Sequence, residues 1–356
     1  MKKIVIVTKN LFGGGAERVI AQLSNYFVSR DAECVIITTD DREIGYKLDE
    51  RIVIKPIGKK SNNSLVDRIK RLKQVRKIVK TENPDIVLTM PEDTGVYIIL
   101  ALLGTKYPVY ISERNNPWVM PDSKVTRALR KMMYPFVKGI VFQTEMAKSF
   151  FSEKIQKKGV VLPNPVDSSR IPERFTGERE KTVAAASRLY KQKNFPMLIK
   201  AFADFSRDYP EYNMVIYGEG PEREMLEQMI ADLQLGGKVE LPGREDNVLE
   251  LMNSKAMFVL SSDYEGMPNS LIEAMCMGMP VISTDCPSGG PKQLIENKKN
   301  GILVDVGSDA QLADAMRYMA ADNNAETLSD EAYKIRGKLT SKQVFDDWYD
   351  YLFSEK

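Results

Sequence analysis

Short runs rich in Val and Ile alternate with longer segments whose apolar residues recur every three to four positions, from one end of the chain to the other. That alternation is the mark of βα units and parallel sheets. It predicts seven strands in the first half, at Lys3–Thr8, Cys34–Thr39, Ile52–Ile57, Asp85–Met90, Pro108–Ser112, Gly139–Gln143 and Val160–Leu162. Six more are predicted at Val183–Ser187, Met214–Tyr217, Lys238–Leu241, Ala256–Leu260, Val281–Ser283 and Ile302–Val304, each followed by a helix. Pro163-Asn164-Pro165 interrupts the pattern, and the polar stretch DSSRIPERFTGEREK follows it. The domain boundary is placed there, giving two doubly wound α/β domains, 1–165 and 166–339, that face a central cleft. A last helix over about 340–356, with Trp348 and Tyr349, is free to pack back on the first domain.

Charge adds a second asymmetry. The net value of +2 hides 29 Lys and Arg against 17 Asp and Glu in residues 1–165, an excess of +12 that leaves −10 for the rest. Much of the excess lies in two helical segments. SLVDRIKRLKQVRKIVK repeats Leu65, Ile69, Leu72, Val75 and Val79 on one face and Lys and Arg on the other; KVTRALRKMMYPFVK sets Arg127, Arg130, Lys131 and Lys138 beside Leu129, Met132, Met133 and Phe136. Two such helices, near 65–80 and 124–138, point to an anionic membrane surface rather than to nucleic acid. No apolar run approaches the roughly 20 residues of a membrane span. MKKIVIVTKN reads as a first strand and not as a leader. The expected location is cytoplasmic, peripheral on the inner face of the plasma membrane.

The chain has no histidine and three cysteines without short spacing. A disulfide framework, a zinc finger, a Ser-His-Asp triad and a Cys-His dyad are therefore excluded. No D-x-D occurs, so neither a metal nor any other cofactor is expected.

Three loops carry chemistry. Gly13-Gly14-Gly15, between the first strand and a helix running to about Ser29, lets backbone N–H groups approach an anion. The dinucleotide pattern G-x-G-x-x-G fails because Arg18 stands at its last position, although Asp40 after the second strand keeps a nicotinamide cofactor in view. SRLYKQKN offers Arg188 and Lys193 at a strand end, a planar cation and a mobile one suited to a diphosphate. EGMPNSLIEAMCMGMPVIST places Glu265 and Glu273 across a turn that enters a helix, whose first amides belong to Asn269 and Ser270. A carboxylate there is able to accept two hydrogen bonds from a vicinal diol.

Together with YGEGPE (Tyr217 to Glu222), LPGR (Leu241 to Arg244) and LPNPVD (Leu162 to Asp167), these motifs stand in an order that resembles the retaining glycosyltransferases of family 4. The resemblance runs from the first strand to at least Val306 and implies the GT-B fold of two Rossmann-like domains. It implies that Arg188 and Lys193 hold the donor diphosphate, Glu265 the transferred sugar, Glu273 the ribose, and Gly243 with Arg244 the base. The donor side further comprises Gly14, Gly15, Gly266, Met267, Asn269 and Ser270. Glu113, Arg114 and Asn115 of ISERNNPW fall on the acceptor or sugar side; Arg114 stands where many members carry a His, and arginine remains protonated and serves as no base. SERNNP and CPSGGP (Cys286 to Pro291) are most similar to the branch adding hexoses or N-acetylhexosamines in bacterial surface-polysaccharide assembly. The implied reaction joins a UDP-sugar to a lipid-linked glycan. A sugar-nucleotide epimerase, or a catalytically idle UDP-sugar-binding subunit, is the alternative on the same scaffold.

Overall fold

Strands that are apolar at nearly every position must be covered on both faces. Both sheets of the computed structural model, which describes residues 1–321, 324–339 and 342–354, meet that demand. The chain divides into two units, Met1–Pro165 with Ser341–Lys356, and Val166–Thr340.

The first unit holds β1 (Lys3–Thr8), β2 (Glu33–Thr38), β3 (Val53–Pro56), β4 (Ile86–Thr89), β5 (Val109–Ser112), β6 (Gly139–Phe142) and β7 (Gly159–Val161) in the order β3-β2-β1-β4-β5-β6-β7, every pair parallel. Alternate residues go to opposite cores. Ile4, Ile6, Ile36 and Leu88 meet α1 (Gly15–Ser29) on one face, while Val5, Val7, Val35 and Val87 meet α2 (Ser64–Glu82) and α3 (Glu92–Leu102) on the other. The terminal helix, Lys342–Phe353, lies against α1: Trp348 is wholly buried and donates its indole N–H to the Pro163 carbonyl at 3.0 Å. Its expected beginning at residues 340–341 lies outside the described residues, as do residues 355–356.

The second unit holds β8 (Glu180–Ala186), β9 (Asn213–Tyr217), β10 (Val239–Gly243), β11 (Lys255–Leu260), β12 (Val281–Thr284) and β13 (Ile302–Val304) in the order β10-β9-β8-β11-β12-β13, again all parallel. Its two cores divide in the same way, Val183, Met214 and Val259 on one side and Ala184, Val215 and Phe258 on the other.

Two expectations need correction. The alternation of strand and helix lapses between β2 and β3, where residues 39–52 form no helix; acids and bases crowd this stretch, and its few apolar residues make no stripe to bury. The apolar faces read for the two basic helices are buried only in part. On α2, Val75 and Val79 are buried but Leu65 and Ile69 are 65% and 46% exposed. On α4 (Lys124–Met133) and the turn after it, Met133 is buried whereas Val125, Met132 and Phe136 are exposed, and Arg130, expected on the solvated side, is 2% exposed.

Candidate functional site

In parallel sheets, ligands gather outside the carboxyl ends of the strands, and in the second unit five loops converge there. The loops after β8 and β11, from adjacent strands, are joined through their side chains. Gln192 donates to the Tyr264 carbonyl at 2.7 Å, Ser261 to the Lys193 carbonyl at 2.8 Å, and Asn194 to the Asp263 carboxylate at 2.7 Å. Asn194 has φ 45 and caps the helix Phe195–Asp208, which sets the direction of the turn. The result is an ion pair 72 residues apart in sequence, Lys193 Nζ to Glu265 Oε1 at 2.5 Å, with both side chains largely enclosed. Ser262 donates to the same oxygen at 2.7 Å, and Ser288 donates to the Glu265 carbonyl. Arg188 is exposed, and its guanidinium lies over the Tyr190 ring, 5.1 Å from the centroid.

Close backbone approach completes the cluster. A Cβ at Gly218 or Gly220, in the loop after β9, would stand 1.9 or 2.3 Å from the Ser187 or Leu189 carbonyl oxygen. A Cβ at Gly290 would stand 1.7 Å from the Gly266 oxygen, so the loops after β11 and β12 touch through bare backbone. Such distances admit only glycine. These glycines and Ser288 were legible only as parts of motif strings, since contact across loops leaves no local spacing.

The helix Asn269–Cys276 begins beside Glu265. Pro268 precedes it and no side-chain hydrogen bond caps it; a helix start of this kind suits an anion. Glu273, one turn in, is 8% exposed. Met267 is buried in the core of the second unit. Gly243, with φ 98, accepts a hydrogen bond from the Gly218 N–H at 2.7 Å, while Arg244 is half exposed and 3.9 Å from Asp246. Lys193 and Glu265 thus meet between the loops after β8 and β11, Gly266 and the helix carrying Asn269, Ser270 and Glu273 follow Glu265 in the chain, Arg188 is exposed on the loop after β8, and Gly243 and Arg244 stand at the end of β10.

The first unit arranges its candidates differently. Gly14 caps α1 without a side-chain bond, and a Cβ there would lie 1.8 Å from Glu17 Oε2, so the Glu17 carboxylate packs against Gly14. Glu113 is 1% exposed. It accepts a hydrogen bond from Tyr134 and lies 3.8 Å from Arg130. Burial, with the neighbouring Glu92 carboxyl, pushes Glu113 up to about 8. Arg114 donates its backbone N–H to Glu92 at 3.1 Å and its Nη2 to Asn164 at 2.7 Å. Burial lowers the guanidinium to about 10, still a cation at neutral pH. Asn115 Oδ1 accepts from the Asn116 N–H at 2.8 Å. The three thiols are buried and pushed up to about 12, so none is a ready nucleophile.

Comparison with known proteins agrees with this division. Residues 13–170 match the model of Glycosyltransferase Family 4, and residues 168–335 that of Glycosyl transferases group 1. A Campylobacter jejuni relative, a GalNAc-α-(1→4)-GalNAc-α-(1→3)-diNAcBac-PP-undecaprenol α-1,4-N-acetyl-D-galactosaminyltransferase, is 30% identical over 91% of this chain and 90% of its own. The lipopolysaccharide core biosynthesis glycosyltransferase LpsE of Rhizobium meliloti is 27% identical over 98% of this chain and 99% of its own. Among solved structures, Anabaena HepE with UDP and glucose superposes with TM-score 0.86 at 18% identity over the full length of both chains. Staphylococcus aureus TarM superposes with TM-score 0.81 at 17% identity, covering 99% of this chain and all of its own. At those identities the likeness speaks for the fold, which is GT-B.

Proposed function

The chain belongs to glycosyltransferase family 4, and on that premise we propose that it moves a hexose or N-acetylhexosamine from a UDP-sugar to a hydroxyl of a lipid-linked glycan, with retained anomeric configuration and without a metal. The observation that carries the donor reading is the Lys193–Glu265 pair just before the start of the Asn269–Cys276 helix. Unliganded, the cation is held by the carboxylate; a diphosphate competes for Lys193 and releases Glu265 to a sugar hydroxyl. Arg188, Lys193 and the helix amides stabilise the leaving UDP, whose charge grows as the bond from its β-phosphate oxygen to the anomeric carbon breaks. The acceptor oxygen bonds to that carbon from the same face, and its proton passes to the phosphate oxygen. No histidine is needed. Among the described residues no group of three or more Cys, Asp or Glu side chains is placed to hold a metal ion.

The acceptor class is supported by the relatives, one of which acts on an undecaprenol-linked glycan. Among the described residues no helix is long and apolar enough to cross a membrane. Leu65, Val66 and Ile69 on α2, and Val125, Met132 and Phe136 on or after α4, are exposed among Lys and Arg side chains. Lys73, Arg76, Lys77 and Lys80 line a cleft of about 380 Å³ on α2. Apolar side chains among cations suit a bilayer with anionic headgroups, and we place the protein on the cytoplasmic face of the membrane. Purified protein with UDP-sugars, a lipid-linked acceptor and EDTA should release UDP and form a product whose anomeric configuration, read by NMR, equals that of the donor. Inversion, or activity abolished by EDTA and restored by Mg²⁺ or Mn²⁺, contradicts the mechanism.

A further inference from the structure

The loop after β5 exposes an indole on a backbone that is fixed from behind. Trp118 is 46% exposed, and its ring stands edge-on to Phe150 with centroids 5.2 Å apart. Two arginines of α4 hold the main chain on either side of it. Arg130 donates to the Pro117 and Met120 carbonyls, both at 2.8 Å; Arg127 donates to those of Val119 and Pro121 at 2.9 and 2.8 Å. The buried Asn116 accepts the Trp118 N–H at 3.0 Å. Arg130 is itself immobilised over the Phe150 and Phe151 rings, at 4.9 and 5.2 Å. A loop ordered in this way has its conformational entropy removed before any ligand arrives, the condition under which a binding platform gains affinity.

The occupant follows from the place of the indole. The loop follows β5 at the carboxyl edge of the sheet, where ligands of this architecture sit. One exposed flat aromatic surface suits a pyranose, which has an apolar C–H face and a polar rim. A lipid chain requires a longer apolar surface: on the loop only Val119 is exposed beside Trp118, whereas Leu65, Val66, Ile69, Val125, Met132 and Phe136 are exposed on α2 and on or after α4. We infer that Trp118 is the stacking platform for a sugar ring of the acceptor glycan. The inference rests on the glycosyl-transfer reading above and names a positioning element for it.

The chain has two tryptophans, and Trp348 is wholly buried, so acrylamide quenching of the native protein reports on Trp118. The protein saturated with UDP is titrated with octyl α-glycosides of glucose, galactose, N-acetylglucosamine and N-acetylgalactosamine, with octanol as control. At least one glycoside is expected to shield Trp118 from acrylamide where octanol does not. Trp118→Ala should weaken that glycoside about ten-fold by calorimetry, while Trp118→Tyr retains most of the affinity and both variants bind UDP as the wild type does. UDP binding with no glycoside shielding Trp118, or equal shielding by octanol, overturns the assignment; the second result would make the loop a lipid contact. Failure to bind UDP at all overturns the donor reading first, and the acceptor inference with it.

Discussion

Two sheets of the same parallel design use their charged residues in opposite ways. In the second unit, cation and carboxylate meet at the strand ends: Lys193 reaches Glu265, and Arg188 remains exposed. In the first, the corresponding groups turn inward. Glu92, Glu113 and Arg130 are each 2% exposed or less, and Arg130 is bonded to the carbonyls of its own loop. The lesson is that an excess of +12 in residues 1–165 overstates the positive surface available to a partner. Arg130 is an internal brace, whereas exposed cations stand on α2 and the outer side of α4 among other places.

The sharpest way to break this contrast is Arg130→Ala. It leaves the Pro117 and Met120 carbonyls without their donor, and should destabilise the first unit by about 2–6 kcal/mol, about 1–3 kcal/mol for each acceptor left unpaired. Chemical denaturation checks it; a loss under about 1 kcal/mol would mean that the brace is idle. Next in size is Lys193→Ala, expected to lower turnover by roughly two to three powers of ten with unchanged circular dichroism. Turnover near that of the wild type would remove the diphosphate role.

A smaller effect separates the units by pH. Glu113 binds its proton more tightly folded than unfolded, about 8 against 4.5. The stability it contributes is complete below about 4.5 and declines as pH rises through about 8. Glu92, also raised by burial, faces it, as do Arg130 and Tyr134. Glu113→Gln should flatten the slope of stability against pH by at most about 1.4 kcal/mol per pH unit, and an unchanged slope would refute the assignment. Smallest of all is the effect of Arg188→Ala on folding, within about 0.5 kcal/mol because the side chain is exposed, although its turnover should fall as for Lys193→Ala.

What the sequence made legible, and what it hid, follows the range of the forces involved. The strands were readable because Val and Ile runs report burial residue by residue, from KIVIVT at β1 to ILV at β13. The approximate positions of Arg188, Lys193, Glu265 and Glu273 were readable because each stands a few residues beyond a strand or at a helix start. The bond between Lys193 and Glu265 was not, since it depends on β8 and β11 lying side by side. Nor did local spacing reveal the close approach of Gly290 to Gly266. Arg130 on a basic helix reads the same whether it faces water or the rings of Phe150 and Phe151; only packing distinguishes the two. The same limit explains Leu65 and Ile69, which continue an apolar stripe that the fold leaves uncovered at its first turns.

The central claim is that the loops after β8 and β11 bind the diphosphate of a UDP-sugar. It is tested most directly by calorimetric titration of UDP into the wild-type protein and into an Arg188→Ala, Lys193→Ala double variant, without metal. The account predicts saturable binding to the wild type and at least a hundred-fold loss in the double variant, about 2.7 kcal/mol, with folding intact by circular dichroism. Equal affinity in the two proteins would contradict it.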